Sequence, residues 1–379
     1  MAQLCPGLAP VNFAQAKKDY ADIAYAIQAV EAKPLATWYT DRSDYVSEAT
    51  ATLSACAPRN GRLDTLPVFV VYGLPNKDCL GNYSTGGTYA NQNAADYQLF
   101  VSKLASLVGT QDVLYVLEPD AVGLLAESTT QCGWSNNYLP NLVTAVKVLT
   151  SSNPAAKLYV DVGWWIFKED ARVQRLVDIM TTLSKAGKVQ GIALNTANFR
   201  SNDELFNWCK VFVNATAGSN YTCVFDTARN YHGASPTGEW CNAKTAGIGV
   251  PPTSQTGLKN VDYFLWLKTP GQSDGLCLGQ SSDALIGPTA GDFFYKGFCM
   301  MFDNGYFVDK GGLAKTNKFS LDGNSTSGVS GAVIGIILGS IIAVALAVLG
   351  IGLWMKKKKG TKRAKKNHHH ASTVTALQT

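Results

Sequence analysis

The chain has 379 residues, with 33 Lys and Arg against 28 Asp and Glu, a formal charge of +5 and 46% hydrophobic residues. Eight of the bases lie beyond Met355 with no acid among them, which leaves 25 bases against 28 acids in residues 1–355. The main body therefore holds no basic surplus for a nucleic acid, and its aromatic content suits a neutral polymer better.

In chain order, apolar and β-branched runs at Pro34–Thr40, Pro67–Gly73, Val113–Glu118, Lys157–Val162, Val189–Asn195, Tyr221–Thr227 and Val261–Lys268 predict seven buried strands. Between them, Asn93–Val108, Asn141–Leu149 and Asp170–Lys185 carry apolar residues at helical spacing. Alternation of this kind predicts an α/β domain over residues 1–309, a distorted seven-stranded parallel β/α barrel of the TIM type. Polar residues follow the strand ends: Asp41, Asp78, Asp120, Asp161, Asn198, Asp226 with Arg229, and Lys268 with Asp274. Any one of them alone reads as a turn residue or a helix cap. As a ring interleaved with Trp38, Tyr72, Trp164, Trp165 and Trp240, they predict a polar and aromatic cleft; Trp266, in mid-strand, is assigned to the core. Asp78 and Asp120 each end a strand-like run at a proline-marked turn. Two carboxylates on one rim are what acid-catalysed cleavage of a glycosidic bond requires.

Nine cysteines and four sequons, at Asn82, Asn214, Asn220 and Asn324, indicate an oxidising, secreted setting. Spacing alone leaves the pairing open, and the odd count leaves at least one thiol free or paired between chains. No Cys-x-x-Cys pair is present, and the histidines, His232 and His368–His370, form no ligand pattern; no metal or cofactor is implied.

Residues 310–328, rich in Gly, Ser, Thr and Asn, read as a stalk. Val329–Met355 is an uncharged apolar run of 27 residues, long enough for a tilted transmembrane helix. Lys356–Lys359, Lys362, Arg363, Lys365 and Lys366 follow it, and the positive-inside rule places the tail 356–379 in the cytosol. The expectation is a single-pass plasma-membrane protein with its large domain outside the cell. Gly331, Gly335 and Gly339 recur every fourth residue, a weak helix-pairing signal. Met1–Pro10 lacks the apolar core of a signal peptide, so a processed or truncated N-terminus is expected.

Several ordered segments carry a family resemblance: Val70–Cys79, Leu114–Asp120, Gly191–Asn198, Asp226–Asn230, Trp240–Asn242, Pro251–Gly257 and Val261–Gly275. Across Pro34–Gly297 the chain resembles glycoside hydrolase family 6, the inverting β-1,4-glucanases and cellobiohydrolases. The resemblance implies that Asp120 is the general acid and that Asp78 holds the proton on it. Tyr72 would press on the reacting sugar, Ser84 would help hold the attacking water, and Asp274 falls where a base has been proposed, beside Arg229 and Lys268. Trp38, Trp240, Trp164 or Trp165, and Asn198 would contact substrate, a β-1,4-glucan. It also implies disulfides Cys79–Cys132 and Cys241–Cys277; Cys209–Cys223 and Cys5–Cys56 are weaker expectations.

Only two residues separate Asp274 from Cys277, where tunnel-forming relatives carry a long loop; this implies an open cleft and internal cutting. Departures include Lys77 for an arginine, Thr40, Gly87 and Gln272 at positions often acidic, Trp164–Trp165 for a histidine-containing turn, and a sequon at Asn82. Alternatives are a glucan-binding protein on a retired hydrolase scaffold, an exo-acting enzyme, and a trimming partner of a glucan synthase.

Overall fold

The computed structural model describes residues 3–42, 44–57, 65–81, 87 and 89–319, which belong to a compact unit spanning Met1–Asn324. Asn82, Ser84, Asn324, the apolar run Val329–Met355 with Gly331, Gly335 and Gly339, and the basic tail lie outside the described residues. Among the described residues no helix is long and apolar enough to cross a membrane.

All seven expected strands form: β1 (Thr37–Thr40), β2 (Val68–Tyr72), β3 (Leu114–Leu117), β4 (Lys157–Asp161), β5 (Gly191–Leu194), β6 (Thr222–Asp226) and β7 (Val261–Leu265). They pair in parallel and in chain order in one seven-stranded sheet. Period-two alternation sorts their side chains. Val68, Val70, Leu114, Val116, Tyr159, Ala193, Val224, Tyr263 and Leu265 meet in an inner cluster. Phe69, Val71, Tyr115, Leu117, Leu158, Val160, Ile192 and Leu194 point the other way, onto helices that contribute Phe100, Leu104, Leu142, Leu176 and Met180. Each such buried side chain contributes about 1.5–3 kcal/mol over leaving it in water, which fixes the register of every strand.

Among the described residues no ladder joins β7 to β1. The Ala36 amide donates to the Trp266 carbonyl at 3.1 Å, and the Trp38 indole N–H donates to the Leu267 carbonyl at 2.7 Å. The sheet is thus an open, half-barrel version of the barrel expected. Its lower end is closed by a short parallel pair, Gln3–Leu4 with Thr65–Leu66, whose leucines enter the inner cluster.

The crossover helices start where the sequence offers caps. Asn93 accepts from the Ala95 and Asp96 amides at 2.9 and 3.1 Å and opens helix Ala94–Val108. Ser201 and Glu204 form a reciprocal capping box at helix Asn202–Ala215. Disulfides link Cys5–Cys56, Cys79–Cys132, Cys209–Cys223 and Cys241–Cys277. Cys299 is a free, buried thiol, pushed up to about 12 by burial. Trp266 is buried and donates its indole N–H to the Val250 carbonyl at 3.1 Å.

The first residues of the Gly- and Asn-rich segment after 310 dock onto the domain. Asp303 accepts from the Thr316 amide and hydroxyl at 2.5 and 2.9 Å and from the Asn317 amide at 3.0 Å. The Tyr25 hydroxyl donates to the Ala314 carbonyl at 2.9 Å, and Lys318 pairs with Asp22.

Candidate active site

The upper ends of β2 and β3 turn sharply. Asp78, Glu118 and Asp120 have φ of 55°, 49° and 67°, a left-handed backbone that non-glycine residues rarely hold. Strain of this kind gathers where a fold must aim a side chain. Glu118 is fully buried and ties the two turns together. It accepts from the Gly73 amide at 2.9 Å, the Leu74 amide at 3.3 Å and the Tyr97 hydroxyl at 2.9 Å. Burial pushes its carboxyl up to about 8 against the pull of these donors.

Asp120 heads helix Ala121–Glu127. Its side chain reaches solvent through the cleft, yet the enclosing walls and the Asp78 charge push its carboxyl up to about 6. A carboxyl at that value still holds a proton in mildly acid solution, which is what a general acid needs. Asp161, at the end of β4, accepts from the Asp120 amide at 2.7 Å and from the Thr196 hydroxyl. Burial and the neighbouring Asp120 push it up to about 8. Asp226, at the end of β6, accepts from the amides of Ala197, Ala228, Leu267 and Lys268 at 2.9–3.3 Å. Burial pushes it up to about 6.

A cleft of about 480 Å³ opens over these carboxylates, lined by Tyr72, Lys77, Asp78, Asp120, Trp165, Trp240 and Gln280 among others. Lys77 is buried and pairs with Asp41 at 2.5 Å, and Asp41 also accepts from the Asn91 amide at 2.7 Å. The pair fixes the Asp78 turn to the end of β1, and places the ammonium 5.7 Å from the Tyr72 ring centroid. Trp38 packs edge-on against Tyr72, ring centroids 5.7 Å apart.

The tandem tryptophans part company. Trp165 lines the cleft, seated against Gly123 and Gly163, where a Cβ would meet its ring at 2.8 and 2.1 Å. Trp164 turns away from it: the Arg200 guanidinium lies 3.5 Å over its ring, Lys168 4.6 Å, and Trp208 stacks at 5.9 Å. Its faces are taken up by protein rather than held open for a sugar.

Asp274, Arg229 and Lys268 come together as expected. Arg229 Nη1 lies 2.7 Å from Asp274 Oδ2 and Lys268 Nζ 3.4 Å from Oδ1, while the Asn242 amide donates to Oδ2 at 2.9 Å. Burial opposes ionisation of Asp274, but the two cations outweigh it and hold its carboxyl below the usual carboxylate range. Burial in turn lowers the Lys268 ammonium. Asn198, after β5, accepts from the Phe199 amide at 2.9 Å.

Sequence reasoning named Asp41, Asp161 and Asp226 only as members of a ring and did not single out Glu118. The signal for Glu118 was its place in Glu-Pro-Asp, two residues before Asp120; Asp41 was marked only by its place directly after β1.

The fold is an open parallel half-barrel whose strand ends place Asp78 and Asp120 side by side in the lining of one cleft. The chain belongs to glycosyl hydrolases family 6, whose family model matches residues 9–305. It is 30% identical over 250 residues to Endoglucanase A of Thermobispora bispora, covering 65% of this chain and 52% of the relative. It is 31% identical over 282 residues to the probable 1,4-β-D-glucan cellobiohydrolase C of Aspergillus fumigatus, covering 62% and 61%. The chain thus spans about half to two thirds of the length of these curated relatives. Among solved structures it resembles the endoglucanase Cel6 of Mycobacterium tuberculosis in complex with a thio-linked cellobioside, at TM-score 0.64 and 26% identity over 80% of this chain and 97% of that one. The catalytic core of cellobiohydrolase Cel6A from Chaetomium thermophilum matches at TM-score 0.66 and 25% identity, with the same coverage.

Proposed function

We propose that the chain hydrolyses internal β-1,4-glucosidic bonds of a cellulose-type glucan with inversion, outside the cell and tethered to its membrane. The observation that carries the reading is the placement of Asp120 beside Asp78 in a cleft that Tyr72, Trp165 and Trp240 also line; the Asp78 charge and the enclosing walls raise the Asp120 carboxyl. Asp120 gives its proton to the glycosidic oxygen as the bond to the anomeric carbon breaks. Positive charge then grows on the sugar ring, and the nearby Asp78 carboxylate offsets it. Tyr72, Trp165 and Trp240 offer faces against which pyranose rings pack. Water attacks the opposite face of the ring and inverts the centre, and its proton passes through neighbouring water to solvent. Asp274, held ionised by Arg229 and Lys268, is a weak proton acceptor, so its role is to fix the electrostatics and shape of that side of the site.

Internal cutting is supported by the short Asp274–Cys277 connection, which leaves little chain to roof the cleft. Exo-acting relatives exist in the family, so mode of attack is read from products. On a soluble β-1,4-glucan the full-length protein should lower viscosity quickly while few reducing ends appear. Asp120→Asn should lose this by about 10²–10⁴-fold while still binding glucan. Hydrolysis preserved in that variant would end the assignment of the acid, and slow viscosity loss with many new ends would make the enzyme exo-acting. The tether rests on Val329–Met355 and the bases that follow. The protein should stay with membranes through alkaline washing and be released by deletion of 329–355; a wild-type chain washed free would refute the anchor.

A further inference from the structure

Two loops build the cleft wall that carries Trp240 and Gln280, one spanning 235–245 and the other 273–286. Beneath them lies Glu239, buried and outside the set of residues that line the cleft. We propose that Glu239 is a positioning residue for substrate binding, a single carboxylate that sets Trp240 and Gln280 together against the sugar. Oε1 accepts from the Trp240 and Cys241 amides at 2.9 and 2.7 Å. Oε2 accepts from the Ser281 amide and hydroxyl at 3.0 and 2.6 Å. One oxygen thus holds the backbone of the tryptophan, and the other holds the residue next to the glutamine.

Four donors on two oxygens is a pattern that only an ionised carboxylate satisfies. Burial opposes the charge, but the Ser281 hydroxyl and the three amides outweigh it and hold the carboxyl below its ordinary range. Trp240 presents an apolar indole to the C–H face of a pyranose, and Gln280 an amide of the kind that reads a sugar hydroxyl. A platform and a polar group must keep a fixed offset to read one ring, and the shared carboxylate supplies that offset.

The loops have other fasteners. Cys241–Cys277 crosses between them. Asp283 accepts from the Thr237 amide and hydroxyl at 3.0 and 2.8 Å and lies 3.2 Å from Lys244 Nζ. Loss of Glu239 therefore shifts the wall rather than unfolding it. That makes the role separable from stability.

The inference rests on the glucan-hydrolase reading, and its test keeps the two apart. In the full-length Glu239→Gln variant the amide nitrogen must face either the Trp240 and Cys241 amides or Ser281, donor against donor. The KM for a soluble β-1,4-glucan should rise about tenfold with kcat within about twofold of wild type and the pH profile unmoved. Ser281→Ala, which removes one donor, should raise KM about threefold. Asp283→Asn, which cuts a fastener of the same loops that touches neither Trp240 nor Gln280, should raise KM less than Ser281→Ala does. Unchanged KM in both Glu239→Gln and Ser281→Ala, or a fall in kcat alone, overturns the proposal. Should Glu239→Gln fail to fold by near-ultraviolet circular dichroism, Ser281→Ala decides. Should the wild type hydrolyse nothing, the activity reading fails, and equilibrium binding of a cello-oligosaccharide still tests Glu239: about tenfold weaker binding in Glu239→Gln supports it, equal binding refutes it.

Discussion

Seven of the carboxylates in and around one cleft are shifted from their ordinary range, and its two sides shift them in opposite ways. On the β2–β6 side, burial raises Glu118, Asp120, Asp161 and Asp226, to between about 6 and about 8. On the side built from residues 235–286, Glu239, Asp274 and Asp283 are held low. The residue types are the same; the company differs. Asp120 faces Asp78, and Asp161 faces Asp120, whereas Asp274 has Arg229 and Lys268, and Asp283 has Thr237 and Lys244. Groups whose surroundings push them apart mark the division of labour in acid–base sites. One side is fitted to hold a proton, the other to hold a shape.

The comparison breaks most visibly at Asp274. Its removal by Asp274→Asn leaves Arg229, 2% exposed, without its counter-charge. Stripping one partner from a buried pair costs about 3–5 kcal/mol, so the thermal midpoint should drop by many degrees together with activity. A midpoint within a degree of wild type would mean that the pair is not needed for the shape of that side.

A smaller effect sharpens the contrast through pH. The raised acids lie above their unfolded values of about 4, so their contribution to stability is complete below that pH and lost as pH rises through about 6 to 8. Asp283, depressed to about 2, works in reverse: its contribution is complete above about pH 4 and is lost as pH falls through about 2. The thermal midpoint should therefore peak well on the acid side of neutrality and decline as pH rises from about 4 to about 8. A midpoint that climbs over that interval would contradict the assignment of raised acids.

Much of this was legible in the residues. The run Val113–Glu118 gave β3, and the apolar stripe in Asn93–Val108 gave helix Ala94–Val108, because periodicity is a local property. Disulfides Cys79–Cys132 and Cys241–Cys277 and the Asp274–Arg229–Lys268 group followed from the family resemblance and are present, and the two pairings it did not imply, Cys5–Cys56 and Cys209–Cys223, form as well. The role of Glu118 was not legible, although its place in Glu-Pro-Asp marked it. Alternation places it on the inner face with Leu114 and Val116, but its left-handed backbone turns it outward to Tyr97. Glu239 was hidden for a related reason: its partner Ser281 lies 42 residues away on another loop, and sequence spacing says nothing about which loops meet. Trp164 and Trp165 could not be told apart either, since a 3₁₀ turn, Trp164–Lys168, decides which ring enters the cleft.

The central claim is that Asp120 keeps its proton through the enclosing cleft walls and through Asp78. The most direct measurement is the pH dependence of kcat/KM on a soluble β-1,4-glucan for wild type and Asp78→Asn. The wild-type rate should fall as pH rises through about 6, because only protonated Asp120 can donate. In Asp78→Asn the like charge is gone, and that fall should move to lower pH. An alkaline limb that stays in place would contradict the account.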